Sequence, residues 1–418
     1  MEIKLEQAKI LNDPVHGFME VPRGILLELI DSPVFQRLRR IKQLGMSSLV
    51  YPGATHTRFN HALGAMHLMR QALDTLKSKS VPISDEEYEA AMIAILLHDI
   101  GHGPFSHALE TSIITDLHHE DMSLALMHYL NERYPGRLDL AIEIFMGTYH
   151  RNFFHQLVSS QLDMDRMDYL VRDSFFTGVV EGNVGVDRII KILNVYQDQL
   201  VCESKGIYSV ENFIISRRFM YWQVYLHKAA IAAEFIMVQI LKRAKELYKM
   251  GTPLFLGPSL AFFFHHQIEA NALTKEVITH YLGLDDVSVE YAIKQWQNHK
   301  DFILSSLCRR ILSRGLLKVK LQNTPFSQAE IYRVQADVLS HSDFTDQSIP
   351  YFVSTGRVSN QAYLKSQKEP IMIWFKSGEL VDLAEVTDQR NIAVMAEPVV
   401  KYYLVSPNFP KKEFQLSE

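Results

Sequence analysis

The sequence predicts a mainly α-helical fold with a smaller C-terminal α+β lobe, and two observations carry that reading. Up to about residue 300 the apolar residues recur with the 3.6-residue period of helices, and strand-like alternation is sparse. After about residue 315 the segments LLKVKL, YFVSTGRV, IMIWF, ELVDLAEV and YYLVSP alternate or are β-branched, and Ser377-Gly378 offers a hairpin turn. The chain has 418 residues, 47% hydrophobic and 22% charged, enough to bury a large core. The expected boundary separates a helical domain, 1–305, from an accessory lobe, 306–418.

Taken in order, the opening MEIKLEQAKILNDPVHG has no apolar signal core, and no uninterrupted apolar stretch is long enough to cross a bilayer. A cytoplasmic protein without a membrane partner is expected. The basic run FQRLRRIKQL follows, with Arg37, Arg39, Arg40 and Lys42 within six residues. Because the net charge is -5 and the pI near 6.4, an anionic ligand must be attracted locally, and this run is the expected source. The same acidic balance argues against a nucleic-acid partner, which needs a broad basic surface. Gly45, Gly101 and Gly251 read as helix stops.

The pair His98-Asp99 ends the apolar run in AAMIAILLHDIGHGPFSHALE. Burying an imidazole with a carboxylate costs several kcal/mol unless hydrogen bonds or a cation offset the desolvation. A metal ion does this directly, needing neutral His and ionised Asp. Alone, the dipeptide reads sooner as the cap of a helix ending at Gly101, with Pro104 blocking its continuation. Clustering decides for the metal: 12 of the 18 histidines lie at or before His155, several within THTRFNHALGAMH, the apolar run and HHED.

In SSQLDMDRMDYLVRDS, Asp165, Tyr169 and Asp173 repeat at i, i+4 and i+8 and so share one helix face, while Asp168 and Arg172 read as a surface salt bridge. One His, a His-Asp pair and a distant Asp would make a four-ligand N/O site with positions left open. The stretch from Asn212 to Met250 reads as one long or kinked helix serving the core or a subunit contact. Cys202 and Cys308, the only cysteines, imply packed thiols and no disulfide framework.

The segments KILNDPVHG, DSPVFQRLRRIKQLG, YPGATHTRFNHALG, LLHDIGHGPFSH, HHEDMS and LDMDRMDYLVRD, in this order, resemble the HD-domain metal-dependent phosphohydrolases. Within that family they are most similar to the dNTP triphosphohydrolases related to the vertebrate sterile-alpha-motif and HD-domain enzyme. The resemblance covers about Lys9 to Lys228 and implies an HD-domain helical bundle. It implies His61, His98, Asp99 and Asp165 as metal ligands for one divalent transition ion, Mn, Fe, Zn or Ni, with Mg accompanying the nucleotide. It makes His119 the general acid and places His102, His107 and Glu110 in the phosphate pocket. Gln43, Leu44, Arg58, Arg166, Tyr169, Asp173, Arg217 and Tyr225 fall at its substrate positions. Arg166 stands for a family Lys, Leu226 for a Gln near the base and Tyr221 for a pocket His.

Lys9, Asn12, Asp31, Gln36, Arg39, His227 and Lys228 match positions that hold an activating nucleotide between subunits, which implies a homo-oligomer, tetramer or dimer. The expected activity is hydrolysis of a dNTP to deoxynucleoside and triphosphate. Two alternatives stand beside it: an HD phosphohydrolase or phosphodiesterase acting on another nucleotide, and a nucleotide-sensing protein of low activity.

Overall fold

The computed structural model describes residues 8–105, 107–114, 118–268, 273–360, 370–387 and 398–409, with the side chains of His107, Glu110 and Thr111 outside the description. It opens with a hairpin, β1 (Ala8–Asp13) and β2 (Gly17–Pro22), in the part expected to be mainly helical. The turn was written in DPVHG: Asp13 Oδ1 accepts the N–H groups of Val15 and His16 at 2.9 and 3.0 Å, and Gly17 takes φ +73°. Short helices α1 (Ile25–Asp31) and α2 (Pro33–Gln36) lead through 3-10 turns at Arg37–Arg40 and Gly45–Leu49. Gly45 therefore starts a turn and does not stop a helix.

The centre of the bundle is α3 (Arg58–Ser78) against α4 (Asp85–Leu97). Ser84 and Glu87 close a reciprocal cap at the start of α4, each side chain taking the other's backbone N–H, at 3.1 and 2.8 Å. From Ala90 to Leu97 every residue of α4 is buried, as expected for a helix that is apolar all round. Each such Leu or Ile contributes roughly 1.5–3 kcal/mol, and this holds the polar pair His98-Asp99 against its desolvation cost.

The chain continues through α5 (His107–Ser112), α6 (His119–Arg133), α7 (Asp139–Met146), α8 (Phe153–Val158), α9 (Met164–Thr177) and α10 (Val186–Ile192). A second unforeseen hairpin follows, β3 (Leu193–Tyr196) and β4 (Gln199–Glu203), turned by Gln197 and Asp198 at φ +51° and +56°. Next, α11 (Ile207–Met220) and α12 (Lys228–Lys249) meet at a π turn, Tyr221–Tyr225, and are bent by 56°. The expected long helix is therefore kinked, and Gly251, at φ +77°, follows its end. Among the described residues no single helix is long and apolar enough to cross a membrane.

Beyond it lie α13 (Pro258–His265), α14 (Lys275–Leu282), α15 (Asp286–Trp296), α16 (Phe302–Leu312), β5 (Lys318–Gln322), α17 (Gln328–Leu339), α18 (Ile349–Phe352) and β6 (Ser354–Asn360). The last elements are β7 (Met372–Trp374), β8 (Leu380–Asp382), α19 (Leu383–Val386) and β9 (Val399–Ser406). As read from the sequence, β7 and β8 form a hairpin, with Gly378 at φ +89°. The expected 305/306 boundary falls inside α16, which packs on α12. Moreover, β4 pairs in parallel with β7, giving a sheet of order β3-β4-β7-β8, while β5-β9-β6 form an antiparallel sheet. One apolar core runs from Met19 to Val405. Cys202 and Cys308 are buried free thiols, as the sequence implied.

Candidate active site

Three helix ends converge to make a cluster of donors. His61 lies in the first turn of α3, His98 and Asp99 follow the last turn of α4, and Asp165 lies in the first turn of α9. Asp163 caps α9, its carboxylate accepting the N–H groups of Ser160 and Arg166 at 2.7 and 2.6 Å, which fixes the entry of Asp165. His61 Nε2 lies 3.4 Å from His98 Nε2, 3.0 Å from Asp165 Oδ1 and 3.7 Å from Asp99 Oδ2. His98 Nε2 lies 3.4 Å from Asp165 Oδ1 and 3.5 Å from Asp99 Oδ1.

These separations suit a divalent ion, because bonds of about 2.0–2.2 Å place neighbouring donors roughly 2.8–3.6 Å apart at angles between square and tetrahedral. The imidazoles are set for the role. His61 Nδ1 faces Asp168 Oδ2 at 2.8 Å and His98 Nδ1 faces the Ile95 carbonyl at 2.6 Å, so each Nδ1–H donates outward and each Nε2 lone pair points inward. The field demands positive charge: burial alone would lower His61, yet hydrogen bonds to Asp165 and Asp168 push it up to about 10. His98 also moves up against burial, through Asp99 and Asp165. Asp99 and Asp165 sit below the usual carboxylate range despite burial, because His102 and His98 face the first and His61 and His98 the second. His61, His98 and Asp99, with Asp165 beside them, could hold a metal ion that meets the same demand.

Asp168 and Arg172 correct the sequence reading. Both are fully buried, and neither forms a surface bridge. Asp168 receives Arg172 Nε and Nη2 at 2.9 and 3.0 Å, faces His16 Nε2 at 2.6 Å and His61 Nδ1 at 2.8 Å, and stays well below its usual range despite burial because Arg172 is adjacent. Arg172 Nη1 reaches Asp13 Oδ2 at 2.8 Å, so the N-terminal hairpin is tied to the orientation of His61. A Cβ at Gly64 would lie 1.9 Å from Asp168 Oδ1, which is why α3 carries a glycine one turn after His61.

In front of the cluster lies a pocket of about 540 Å³. Of the residues expected there, Gln43, Leu44, Arg58, Asp99, His102, His119, Asp165, Arg166, Tyr169, Asp173 and Tyr225 line it, joined by Tyr221, at the position of the family's pocket His, and by Glu234, which the sequence reading did not single out. Arg58 Nη1 donates to Asp99 Oδ2 at 2.5 Å. The rings of His102 and His119 lie 3.9 Å apart, and burial, aided by Arg58, pushes His102 down to about 3. Asp173 is held between His56 Nε2 at 2.7 Å and the Tyr225 hydroxyl at 2.8 Å. Gln43 Oε1 is buried without a hydrogen-bond partner among the described residues, an arrangement that asks for a ligand donor. Arg217 is buried outside the lining, its guanidinium 5.8 Å from the Tyr221 ring centre. The side chains of His107 and Glu110 lie outside the described residues.

The HD domain model matches residues 58–173, a span that holds the whole donor cluster, and the HD associated region model matches residues 184–251. An uncharacterized protein of Bacillus subtilis, YwfO, is 39% identical over 322 residues, covering 75% of this chain and 72% of that protein. A crystal structure of a phosphohydrolase from Bacteroides thetaiotaomicron superposes with a TM-score of 0.92 at 47% identity, covering 96% of this chain and 100% of that one. The chain belongs to the HD-domain phosphohydrolase family. More distant relatives are the deoxynucleoside triphosphate triphosphohydrolase SAMHD1 homolog of Dictyostelium discoideum, 34% identical, and human SAMHD1, 29% identical, matched over 60% and 54% of this chain. The matches span 52% and 43% of those proteins' lengths.

Within this HD fold the basic run plays a different part from the one expected. Arg37 is buried and donates to the carbonyls of Leu284, Ile100 and His102, strapping the turn after His98-Asp99 to the connection between α14 and α15. Arg40 pairs with Asp285 at 2.5 Å and Lys42 with Glu290 at 2.8 Å, while Arg39 stacks on Phe59. Among the described residues, the arginines that reach the HD pocket are Arg58 and Arg166. Gly101 permits the close docking of α6 that brings His119 to His102, because a Cβ there would lie 2.2 Å from Ser123 N and 2.3 Å from His119 O. Of the expected effector residues, Lys9, Asn12, Asp31, Arg39 and Lys228 are exposed, and Gln36 and His227 half-buried. Gln36 bridges the Ile30 carbonyl and Arg39, and His227 caps α12.

Proposed function

We propose that this HD phosphohydrolase is a dNTP triphosphohydrolase, releasing deoxynucleoside and inorganic triphosphate. The observation that carries the reading is the continuity of one face of α9: Asp165 stands in the donor cluster, and Tyr169 and Asp173 line the same pocket on the next two turns. That face extends about 12 Å along the helix, so one ligand can present a phosphate to the cluster and a sugar to the tyrosines. The family relation to SAMHD1 supports the choice of a triphosphate.

A divalent transition metal held by His61, His98, Asp99 and Asp165 would polarise a phosphoryl oxygen and lower the pKa of a bound water. The chain supplies the rest. Arg58 and Arg166 neutralise phosphate charge, and positioning with charge neutralisation carries most of the rate. Water oxygen joins the α-phosphorus, the bond from phosphorus to the 5′-oxygen breaks, and His119 gives its proton to that oxygen. His102, packed on His119, keeps the ring in place. Gln43 accepts from a sugar hydroxyl, and Leu44 lies against C2′, where a ribose hydroxyl would be buried without a partner. Arg217 acts through Tyr221 and Tyr169. Lys9, Asn12, Asp31, Gln36, Arg39, His227 and Lys228 form an effector site only when subunits of a homo-oligomer meet.

Chromatography of products from metal-loaded protein, with the four dNTPs together and then singly, tests this. Deoxynucleoside plus triphosphate is expected, lost in His98→Ala, and turnover confined to the mixture reports the effector site. Absence of triphosphate from every dNTP, or parental turnover by His98→Ala, would refute the reading.

A further inference from the structure

His56 holds two walls of the pocket at once. Its main-chain carbonyl accepts the Gln43 N–H at 3.0 Å, next to the bridge between Lys42 and Thr57. Its side chain faces Asp173 Oδ1 at 2.7 Å. Gln43, just ahead of the turn Gly45–Leu49, and Asp173, on α9, both line the pocket. The His56 ring lies on Phe176, with centroids 4.5 Å apart and planes 19° from parallel. Gly53 allows that seat, because a Cβ there would lie 2.5 Å from the Phe176 carbonyl oxygen.

Packing alone does not account for an imidazole at this place. His56 is buried, and its Nδ1 has no hydrogen-bond partner among the described residues. A ring with one polar atom unsatisfied costs more to bury than the phenyl ring that would stack there equally well. What the imidazole gains is Asp173. That buried carboxylate accepts only, so His56 Nε2–H donates to Oδ1 and the Tyr225 hydroxyl donates to Oδ2 at 2.8 Å. Tyr225 stays a donor, its phenol pushed well above the ordinary range by burial and then by the charge of Asp173. One donor on each oxygen fixes the carboxylate plane and leaves each oxygen a lone pair for a ligand.

Ring contacts relate this carboxylate to the donor cluster. The Tyr169 ring centre lies 6.5 Å from that of His61 and 6.1 Å from that of Tyr225, the phenol that holds Asp173. We propose that His56 is a positioning residue that sets Asp173 and Gln43 to receive the 3′-hydroxyl of the substrate sugar. The assignment rests on the dNTP reading of the same site. With its 5′-oxygen esterified and no 2′-hydroxyl, a dNTP has one sugar hydroxyl left, at C3′. Its proton is shared between the Gln43 oxygen and Asp173, and the carboxylate is the stronger acceptor. His56 touches no substrate in this arrangement. It acts through the plane of the Asp173 carboxylate and the seat of the Gln43 backbone.

Paired substrates decide it. Metal-loaded parent, His56→Phe and His56→Gln are given dTTP and its 3′-deoxy analogue in one vessel. The other three dNTPs are held constant, so that any activating nucleotide is common to all, and the ratio of the two nucleosides released reports the kcat/KM ratio. His56→Phe keeps the stack on Phe176 and the carbonyl that holds Gln43 but has no donor for Asp173. His56→Gln gives up the ring and keeps an N–H donor. The parent is expected to favour dTTP by at least about tenfold, the loss of one hydrogen bond to a charged acceptor. His56→Phe should lose most of that preference and His56→Gln should retain it, with Mn²⁺ binding, read by calorimetric titration, unchanged in both. Equal use of the two substrates by the parent, parental preference in His56→Phe, or its loss from both variants alike overturns the assignment while leaving the triphosphohydrolase reading intact. Weakened Mn²⁺ binding in His56→Phe also overturns it, because His56 would then act through the donor cluster. A parent that releases triphosphate from no dNTP removes that reading, and the role of His56 falls with it.

Discussion

Asp168→Asn probes the link between the N-terminal hairpin and the donor cluster. The parent carboxylate meets His16, His61 and both Nε and Nη2 of Arg172, all within 3.0 Å and without solvent. A carboxamide accepts through one oxygen only and turns an NH₂ group against the remaining donors. Breaking a buried charge pair costs about 3–5 kcal/mol, and the lower end applies here because Arg172 keeps Asp13. For a chain of 418 residues, an unfolding entropy of about 2.1 cal/mol/K per residue turns 3 kcal/mol into a melting decrease of about 3 °C. Freed from Asp168, His61 loses the bond that directs its Nε2 lone pair inward, and loss of such a partner weakens metal binding by roughly 10–100-fold. Calorimetric titration of chelator-stripped protein with Mn²⁺, beside scanning calorimetry, reads both quantities. A variant that melts lower yet binds Mn²⁺ within about twofold of the parent would show that the network supports the fold and does nothing for His61.

Two further outcomes follow from the geometry around the site. Gly101→Ala pushes a methyl into Ser123 N and His119 O, so the start of α6 must retreat; kcat should fall at least about tenfold, since misplacing a catalytic group by 1 Å costs up to about 10²-fold, while bound metal persists, and an unchanged kcat would refute the role given to this close approach. Asp286, which accepts the N–H groups of Lys42 and Phe105, is pushed up to about 6 chiefly by burial. The folded chain therefore holds this proton more tightly than the unfolded chain, so stability from this group falls as pH rises through about 4 to 6 and is level above. The whole effect is about 3 kcal/mol, of which about 1 kcal/mol lies between pH 5 and 7. Asp286→Asn should thus gain about 1 kcal/mol on the parent over that interval, and a pH-independent difference in melting would count against it.

Much of the site was legible because its residue types are costly to bury without a purpose. His98-Asp99 after a wholly apolar helix and the shared face of Asp165, Tyr169 and Asp173 were both visible as spacing, and the structure places them around one pocket. Spacing cannot say which helix face meets the protein, and that is why Asp168 and Arg172 read as solvated. The missing clue lay elsewhere in the chain, in Gly64 one turn after His61 and in the Asp13 turn. Arg37 had its own signal: Val34, Leu38 and Ile41 form a buried stripe, and Arg37 lies beside Leu38 on that side of the chain. A charged residue there must find backbone acceptors, and it does. The hairpins β1–β2 and β3–β4 were missed because their strands are short and the helical period dominates around them, although DPVHG and YQDQ are turn sequences.

The π turn explains why the C-terminal lobe cannot be separated from the pocket. One residue more per turn than an α-helix sets Tyr221 and Tyr225 four apart at the bend, their rings edge to face at 5.1 Å, so both reach the same pocket while Trp222 faces away. Such a turn has poor backbone geometry and persists only where its surroundings hold it. On the inner side Tyr225 is anchored to Asp173, and Tyr51 donates to the Gln223 carbonyl. On the outer side the ring of Trp222 meets Lys401 of β9, a strand paired on both edges, with β5 and β6. The sheet that pattern reading set apart as an accessory lobe therefore braces the segment that shapes the pocket wall. Differences among relatives in this sheet should accordingly be expressed as differences in which ligand the pocket accepts, with the chemistry at the donor cluster left unchanged.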